Sequence, residues 1–422
     1  MGKIKKRIVI AISGLVRALG IGMFCNTQNG YAGTIDNAQT FYNTYGSQIV
    51  FKDGYFYFAT YGKQAASQVS TTHWKTIGYR MYVGTSNYAE YIYYSFTTTL
   101  VKSTLDGKIV GSVNNIIGHL GCIDFSDEDG RVYASLEYKN DAIGRGIQNK
   151  LGKAEVTTAF YVAIFDANKI TTVGMDAEKS GVMRAVRLDT VLNDYTASVT
   201  VGGTVHAHKH GCSGIDGLAI GPDFGAGKSG KKFLHVCYGV YGDVTRSDND
   251  YQVILQYDYL DWWNSIAKPL KQEDMHASGP ERPGNKYFVY TGNTTYGVQN
   301  LEYDEFTGDY FACVYPGKKT NFPNYPTFVI DGGKKAEEQE LAGCSGERGL
   351  VLSLRNTGES KDGIFGMNFP RGTTGIYSLG NGYFYVSHDG KQDGEHYTTV
   401  YPYKLHTDGL WEFKLVEDEL PC

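Results

Sequence analysis

One hairpin recurs five times along this chain, and that repeat limits the folds open to it more than any other feature. The copies read SQIVFKDGYFYFATYGK (47–63), GCIDFSDEDGRVYASLEYK (121–139), GIDGLAIGPDFGAGKSGKKFLHVCYG (214–239), GVQNLEYDEFTGDYFACVYPGKK (297–319) and GIYSLGNGYFYVSHDGK (375–391). Each places a small residue before a short strand, then a Gly- or Asp-rich turn, then a second strand rich in aromatics. Tyr, Val, Phe and Thr suit a pleated, half-buried surface, and Gly serves the turns; the 34 tyrosines and 53 glycines supply both. Two further strands follow most copies: FYVAIFDA and MRAVRL, YQVILQYD and KYFVYTG, PTFVIDG and GLVLSL, TTVYPYKL and LWEFKLV. Four strands per unit, repeated five times, predict an all-β chain folded as a β-propeller of five four-stranded blades. The first unit is irregular, with extra strand-like segments over 79–113, so six or seven blades stay open.

The N-terminus reads as a leader. Lys3, Lys5, Lys6 and Arg7 precede an apolar run over 8–24, broken only by Arg17, and Gly30-Tyr31-Ala32 offers a small-residue cleavage site. That layout predicts a secretory signal peptide over 1–32 and a secreted product in which 33–422 form a single β-propeller domain. The run is short and charged for a permanent span, and no other apolar stretch is long enough, so no stable membrane anchor is expected. A net charge of −5 with no strongly basic region argues against nucleic acid as a partner. The cysteines beyond the leader show no regular spacing, and Cys122, Cys237 and Cys313 sit inside apolar strands where a buried thiol is the simple reading.

In a propeller the loops leading into the inner strands and those joining second to third strands share one face, where ligand sites gather. The lead-in segments 114–120, 203–213, 291–296 and 368–374 bring His119, His206, His208, His210, Cys212, Asn293, Tyr296 and Arg371 to that face. The exits of the second strands add Lys139, Arg145, Arg246, Lys319 and His388. Cations collected on one face of an acidic protein point to an anionic ligand drawn by the local field; the plainer alternative is that they are solvated. His119 and His210 hold comparable places in successive units. With Tyr296 and Arg371 nearby they could transfer protons near neutral pH, or serve only as ligand contacts.

Two metal readings follow. His206, His208, His210 and Cys212 alternate, and in an extended strand alternation puts side chains on one face, a donor set suited to a structural zinc ion. His235 and Cys237 alternate on the next hairpin and could complete it. Aligning the inner strands by their turns makes Asp124, Asp216 and Gln299 equivalent, facing the channel, where they could hold calcium or only bond to neighbouring backbone. Gly225-Ala-Gly-Lys-Ser-Gly mimics a phosphate loop, but its spacing is wrong and it lies between two strands, so it reads as a turn.

With these features in hand, the chain resembles secreted carbohydrate-active propellers. It is similar in particular to uronate-glycan lyases of the ulvan and rhamnosyl-glucuronate type. That resemblance implies proton transfer by histidine and tyrosine, basic residues against the uronate, and a structural zinc held by His and Cys. His119, His210, Tyr296, Arg371 and the His/Cys run suit it; the lyases' usual seven blades do not. A weaker likeness, to five-bladed calcium-dependent nucleotidases, rests on Asp124 and Asp216. The leading expectation is an enzyme acting on an anionic oligosaccharide or polysaccharide by β-elimination. A glycoside hydrolase would instead need paired carboxyls, with Glu137, Asp243 and Glu302 as candidates. A calcium-dependent phosphohydrolase and a non-catalytic glycan-binding propeller are the alternatives.

Overall fold

The strand Ala159–Asp166 shows how these sequences build a blade. Phe160, Val162 and Ile164 enter one core, while Tyr161, Ala163 and Phe165 enter another on the opposite face. A sheet covered on both sides reads as an unbroken apolar run instead of an apolar–polar alternation. The computed structural model describes residues 39–42, 48–52, 55–59, 74–83 and 87–416, apart from 105–108, 153–156 and 393–394. The expected leader therefore lies outside the described residues. No helix among those described is long and apolar enough to cross a membrane.

Five small, mainly antiparallel sheets stand in a ring. Blade I comprises Trp74–Val83, Asn87–Phe96, Thr99–Thr104 and Ile109–Asn114. Blade II comprises His119–Ser126, Arg131–Tyr138, Ala159–Asp166 and Met183–Arg187. Blade III begins with Cys212–Pro222, Lys232–Val240, Tyr251–Tyr257 and Asn285–Tyr290. Blade IV has Thr295–Asp304, Asp309–Tyr315 and Thr327–Ile330. Blade V has Ile376–Ser378, Tyr383–Gln392, Glu395–His406 and Glu412–Leu415. The inner strands touch in sequence from I to V, and the inner strand of V meets that of I, closing the ring. Apolar clusters fill the gaps between blades; the one joining IV to V sets Phe311, Cys313 and Val329 against Phe384, Val386 and Leu405.

The blade count agrees with the repeat, but the assignment of two segments changes. The first hairpin copy heads no blade. Its strands Gln48–Lys52 and Tyr55–Ala59 extend the sheet of blade V, where Phe58 pairs with His396, and blade I is built from the irregular stretch that follows. GLVLSL is divided between blades. Arg348–Leu352 runs parallel to Asn285–Tyr290 in blade III, and only the residues after it bond to blade IV, through Asp331 N to Ser353 O and Arg355 N to Val329 O. The inner strands of blades II, III and IV each carry a register shift, at Leu120/Ile123, Ile215/Leu218 and Val298/Asn300. Such bulges bend the strand and re-aim side chains, so alignment by turns alone misplaces channel residues.

Candidate active site

Hairpin register assembles the central group. His119 opens the inner strand of blade II and pairs with Glu137 on the second strand, so both side chains share a face, and Lys139 follows two residues on. His119 Nδ1 lies 3.2 Å from Glu137 Oε1. Lys139 Nζ lies 2.6 Å from the same oxygen and 3.4 Å from Asp141, and it donates to Ser213 O at 2.9 Å. Glu137 Oε2 accepts from Ile215 N of blade III at 3.2 Å. Burial alone would push Glu137 up, but Lys139 and His119 outweigh it and hold the carboxyl below its ordinary value. Burial likewise lowers Lys139, and Glu137 with Asp141 more than reverse that. The approach of Glu137 to the next blade requires Gly214. Its φ is 124°, and a Cβ there would meet Glu137 Oε2 at 2.1 Å.

Aromatic rings stand beside this group. The His208 ring lies 4.5 Å from that of Tyr195 and 5.1 Å from that of Tyr241. The two phenols hydrogen-bond to each other, and burial keeps both above the ordinary tyrosine range despite the charge of Lys139. Protonated phenols beside an imidazole–carboxylate pair make proton donors and acceptors available together. Arg246 fixes His208 from below: its guanidinium pairs with Asp248 at 2.7 and 2.8 Å and donates to Ala207 O and His208 O, each at 2.7 Å. The sequence reading missed Tyr195 and Tyr241. Tyr195 sits on the helix Asp189–Thr196, outside every repeat copy, and Tyr241 directly follows a repeat strand, a signal that was present.

The remaining expected residues fall into separate groups on the same face. Arg145 is exposed on the helix Ala142–Lys150, whose first turn is capped by Asp141, next to the His119 group in the chain. Tyr296 is 44% exposed, with φ 66°, at the start of blade IV, and Asn293 is buried just before it. Arg371 is exposed in the turn Pro370–Thr373; its charge reaches Tyr403, whose hydroxyl meets His388 Nε2 at 3.0 Å. His119 and Arg371 thus share the lead-in end of the ring.

Three expectations need correction. His210 does not join His119. It is 1% exposed and points into blade III, against Phe288, Cys344 and Glu347. Arg246 and Lys319, expected to meet substrate, are buried and neutralised within the protein: Arg246 by Asp248, Lys319 by Asp250 with a further bond to Asn249 Oδ1 at 2.9 Å. A buried cation demands a carboxylate partner, and the segment 246–250 supplies both.

The expected metal donors are dispersed in the structure. The His/Cys run is not extended, because His208 and His210 take positive φ (67° and 54°) and Lys209–Gly211 turns. His206 faces Asp243 at 3.7 Å, while Cys212 is fully buried, which pushes its thiol up. His235 and Cys237 lie in the apolar core, where burial drives the imidazole down to about 3. For calcium, Asp216 sits beside Gly121, whereas Asp124 accepts from Phe125 N and Ile220 N, each at 2.7 Å. The electrostatic neighbour of Asp124 is Glu302, and burial raises both carboxyls, Asp124 to about 7. Among the described residues no three His, Cys, Asp or Glu side chains gather to hold a metal.

No protein family matches the chain, and no curated protein does. Among solved structures it is similar to a family GH43 β-1,3-galactosidase with galactodeoxynojirimycin, at 12% identity and TM-score 0.34 over 90% of this chain and 99% of that one. It is also similar to a GH43 endo-arabinanase from Bacillus licheniformis, at 11% and 0.31 over 89% and 98%. A third likeness is to the Pan2 WD40 domain of Neurospora crassa, at 9% and 0.25 over 86% and 87%. The blade count rests on this chain's own strand pairing, not on these likenesses.

Proposed function

We propose that the protein is an exported enzyme that cleaves a uronic-acid-containing glycan by β-elimination, with its chemistry at His119. The observation that carries this reading is the buried chain of His119, Glu137 and Lys139 at the mouth of the channel. Glu137 at Nδ1 fixes the ring's orientation, which leaves His119 positioned to accept a proton. In the reaction His119 takes the C5 proton of the uronate, the freed electron pair forms the C4–C5 double bond, and the C4–O bond breaks. Tyr241, held protonated by burial, gives its proton to the departing oxygen. The exposed Arg145 supplies the positive charge that the uronate carboxylate needs as C5 becomes acidic, while Lys139, buried and paired with Glu137 and Asp141, holds the Glu137 carboxylate in place.

One observation favours a second reading. Lys139 bridges the carboxylates of Glu137 and Asp141, and a carboxyl pair is what glycoside hydrolysis uses. A panel of uronate and neutral oligosaccharides separates the two. β-Elimination gives the ultraviolet absorbance of a new double bond with each new reducing end; hydrolysis gives reducing ends without that absorbance and overturns the lyase reading. His119→Gln should lower turnover by about 10²-fold or more, and full activity in that variant would remove His119 from the chemistry.

A further inference from the structure

A tight turn at the edge of blade III presents a second reactive constellation. Gly343, Ser345 and Gly346 all have positive φ, at 78°, 50° and 80°; Ser345 adopts it despite its Cβ. Between them stands Cys344, whose Sγ is 4.0 Å from His210 Nδ1. On the other side of the ring, Nε2 lies 3.5 Å from Glu347 Oε1, and that same oxygen is 2.9 Å from Lys209 Nζ. Phe288 supports the imidazole in an edge-on contact with centroids 5.2 Å apart. Cys344, His210, Glu347 and Lys209 line a cavity of about 350 Å³ together with Val199 and Val201 of the strand Ser198–Val201. The positive φ of His208 and His210 directs two rings from one short run to different sites.

We infer that this cavity is a second active site, in which Cys344 accepts an acyl group, His210 is its general base and Glu347 positions the ring. The order of groups is the one nucleophilic catalysis uses: thiol at one ring nitrogen, carboxylate at the other. A 4.0 Å separation is of the kind that tightens when a substrate binds. The space is lined by Val199 and Val201 together with Ser198, Thr200 and Asp248, and admits an ester or thioester carrying a short acyl group. In the first step Sγ attacks the acyl carbon while its proton passes to His210 Nδ1. The new S–C bond replaces the bond to the alcohol or thiol, which departs with that proton. Water, losing a proton to His210, then cleaves the acyl-cysteine, releasing the acid and restoring the thiol.

Electrostatics define how the thiol would act. Burial, with Asp248 and Glu347 near, pushes Cys344 up to about 12, the direction of an unreactive thiol, so its attack requires His210 to take the proton in the same step. Glu347 is held down to about 2 by its bond to His210 and by Lys209, and stays ionised as the ring charges. Cys122, Cys212, Cys237 and Cys313 are buried at 1% exposure or less, whereas Cys344 is half-buried. This site meets the His208 group only through Asp248, which lines the cavity and also pairs with Arg246, and the proposal does not depend on the glycan reading.

The full chain is mixed with p-nitrophenyl acetate, with p-nitrophenol release followed rapidly and the acetyl group located by peptide mass mapping. A burst of about one equivalent, with acetyl on Cys344, is expected. Cys344→Ala should abolish the burst without moving the melting temperature, and His210→Gln should slow acylation about 10²-fold. Glu347→Gln should shift the pH profile of acylation, which a merely structural carboxylate would leave in place. Acetyl found elsewhere with Cys344 unmodified, or an undiminished burst from folded Cys344→Ala, overturns the assignment even if His210→Gln fails to fold.

Discussion

Glu137 is the residue on which the channel mouth turns, because it contacts His119, Lys139 and the backbone of blade III at once. Removing its charge while keeping its shape separates orientation from electrostatics. Glu137→Gln leaves Lys139 with Asp141 as its remaining anionic partner, and breaking a buried pair from one side costs about 3–5 kcal/mol. The expected result is a urea midpoint lowered accordingly, with turnover reduced by at least about tenfold in the fraction that stays folded. Loss of activity with unchanged stability would mean that the pair is not buried in solution. His119 was legible because it heads a repeat unit; Glu137 was read only as a carboxyl for hydrolysis, and its place opposite His119 came from the strand register. The fate of Arg246 and Lys319 was not legible: a cation at a strand exit looks the same in sequence whether it meets substrate or is matched by Asp248 or Asp250.

At the level of elements, the inner strands succeed or fail by close approach between blades. Gly214 admits Glu137, and Gly121 admits Asp216 Oδ1, which a Cβ there would meet at 2.7 Å. Gly214→Ala should therefore displace the Glu137 carboxylate in addition to straining the backbone at φ 124°. A loss of about 1–3 kcal/mol in chemical denaturation, together with an activity defect resembling that of Glu137→Gln, is the expected pair of outcomes. An alanine variant with full activity would show that Glu137 reaches its partners without this approach. Hairpins were readable because their turns carry Gly and Asp between aromatic strands. The home of each hairpin was less so. The strands 48–59 carry the same local pattern as an inner hairpin, yet pair at the margin of blade V. Likewise the His/Cys run alternates like a strand but turns at His208 and His210, since periodicity shows neither tertiary partners nor left-handed residues.

For the whole ring, stability against pH should report groups that no local pattern reveals. Burial raises Asp124 from its ordinary 3.8 to about 7, and Glu302 moves in the same direction. In the unfolded chain these carboxyls ionise earlier, so between about pH 4 and 7 the folded state holds more protons and loses stability as pH rises. His235 acts oppositely. Its imidazole is lowered from 6.5 to about 3, so the unfolded state binds the extra proton and stability falls as pH drops through that window. Between about pH 4 and 6.5 two carboxyls oppose one imidazole, so stability should already fall as pH rises, more steeply once the imidazole drops out above about 6.5, with the histidine-governed fall appearing only below about pH 4. Glu302→Gln keeps an oxygen to accept from Ser378 N, a bond of 2.6 Å in the parent, and should flatten the alkaline limb; His235→Gln should flatten the acid limb. Urea unfolding at about pH 3, 4, 6 and 8 resolves both, and curves that stay parallel to the parent would mean that the stacked blades keep neither the carboxyls nor the imidazole from water.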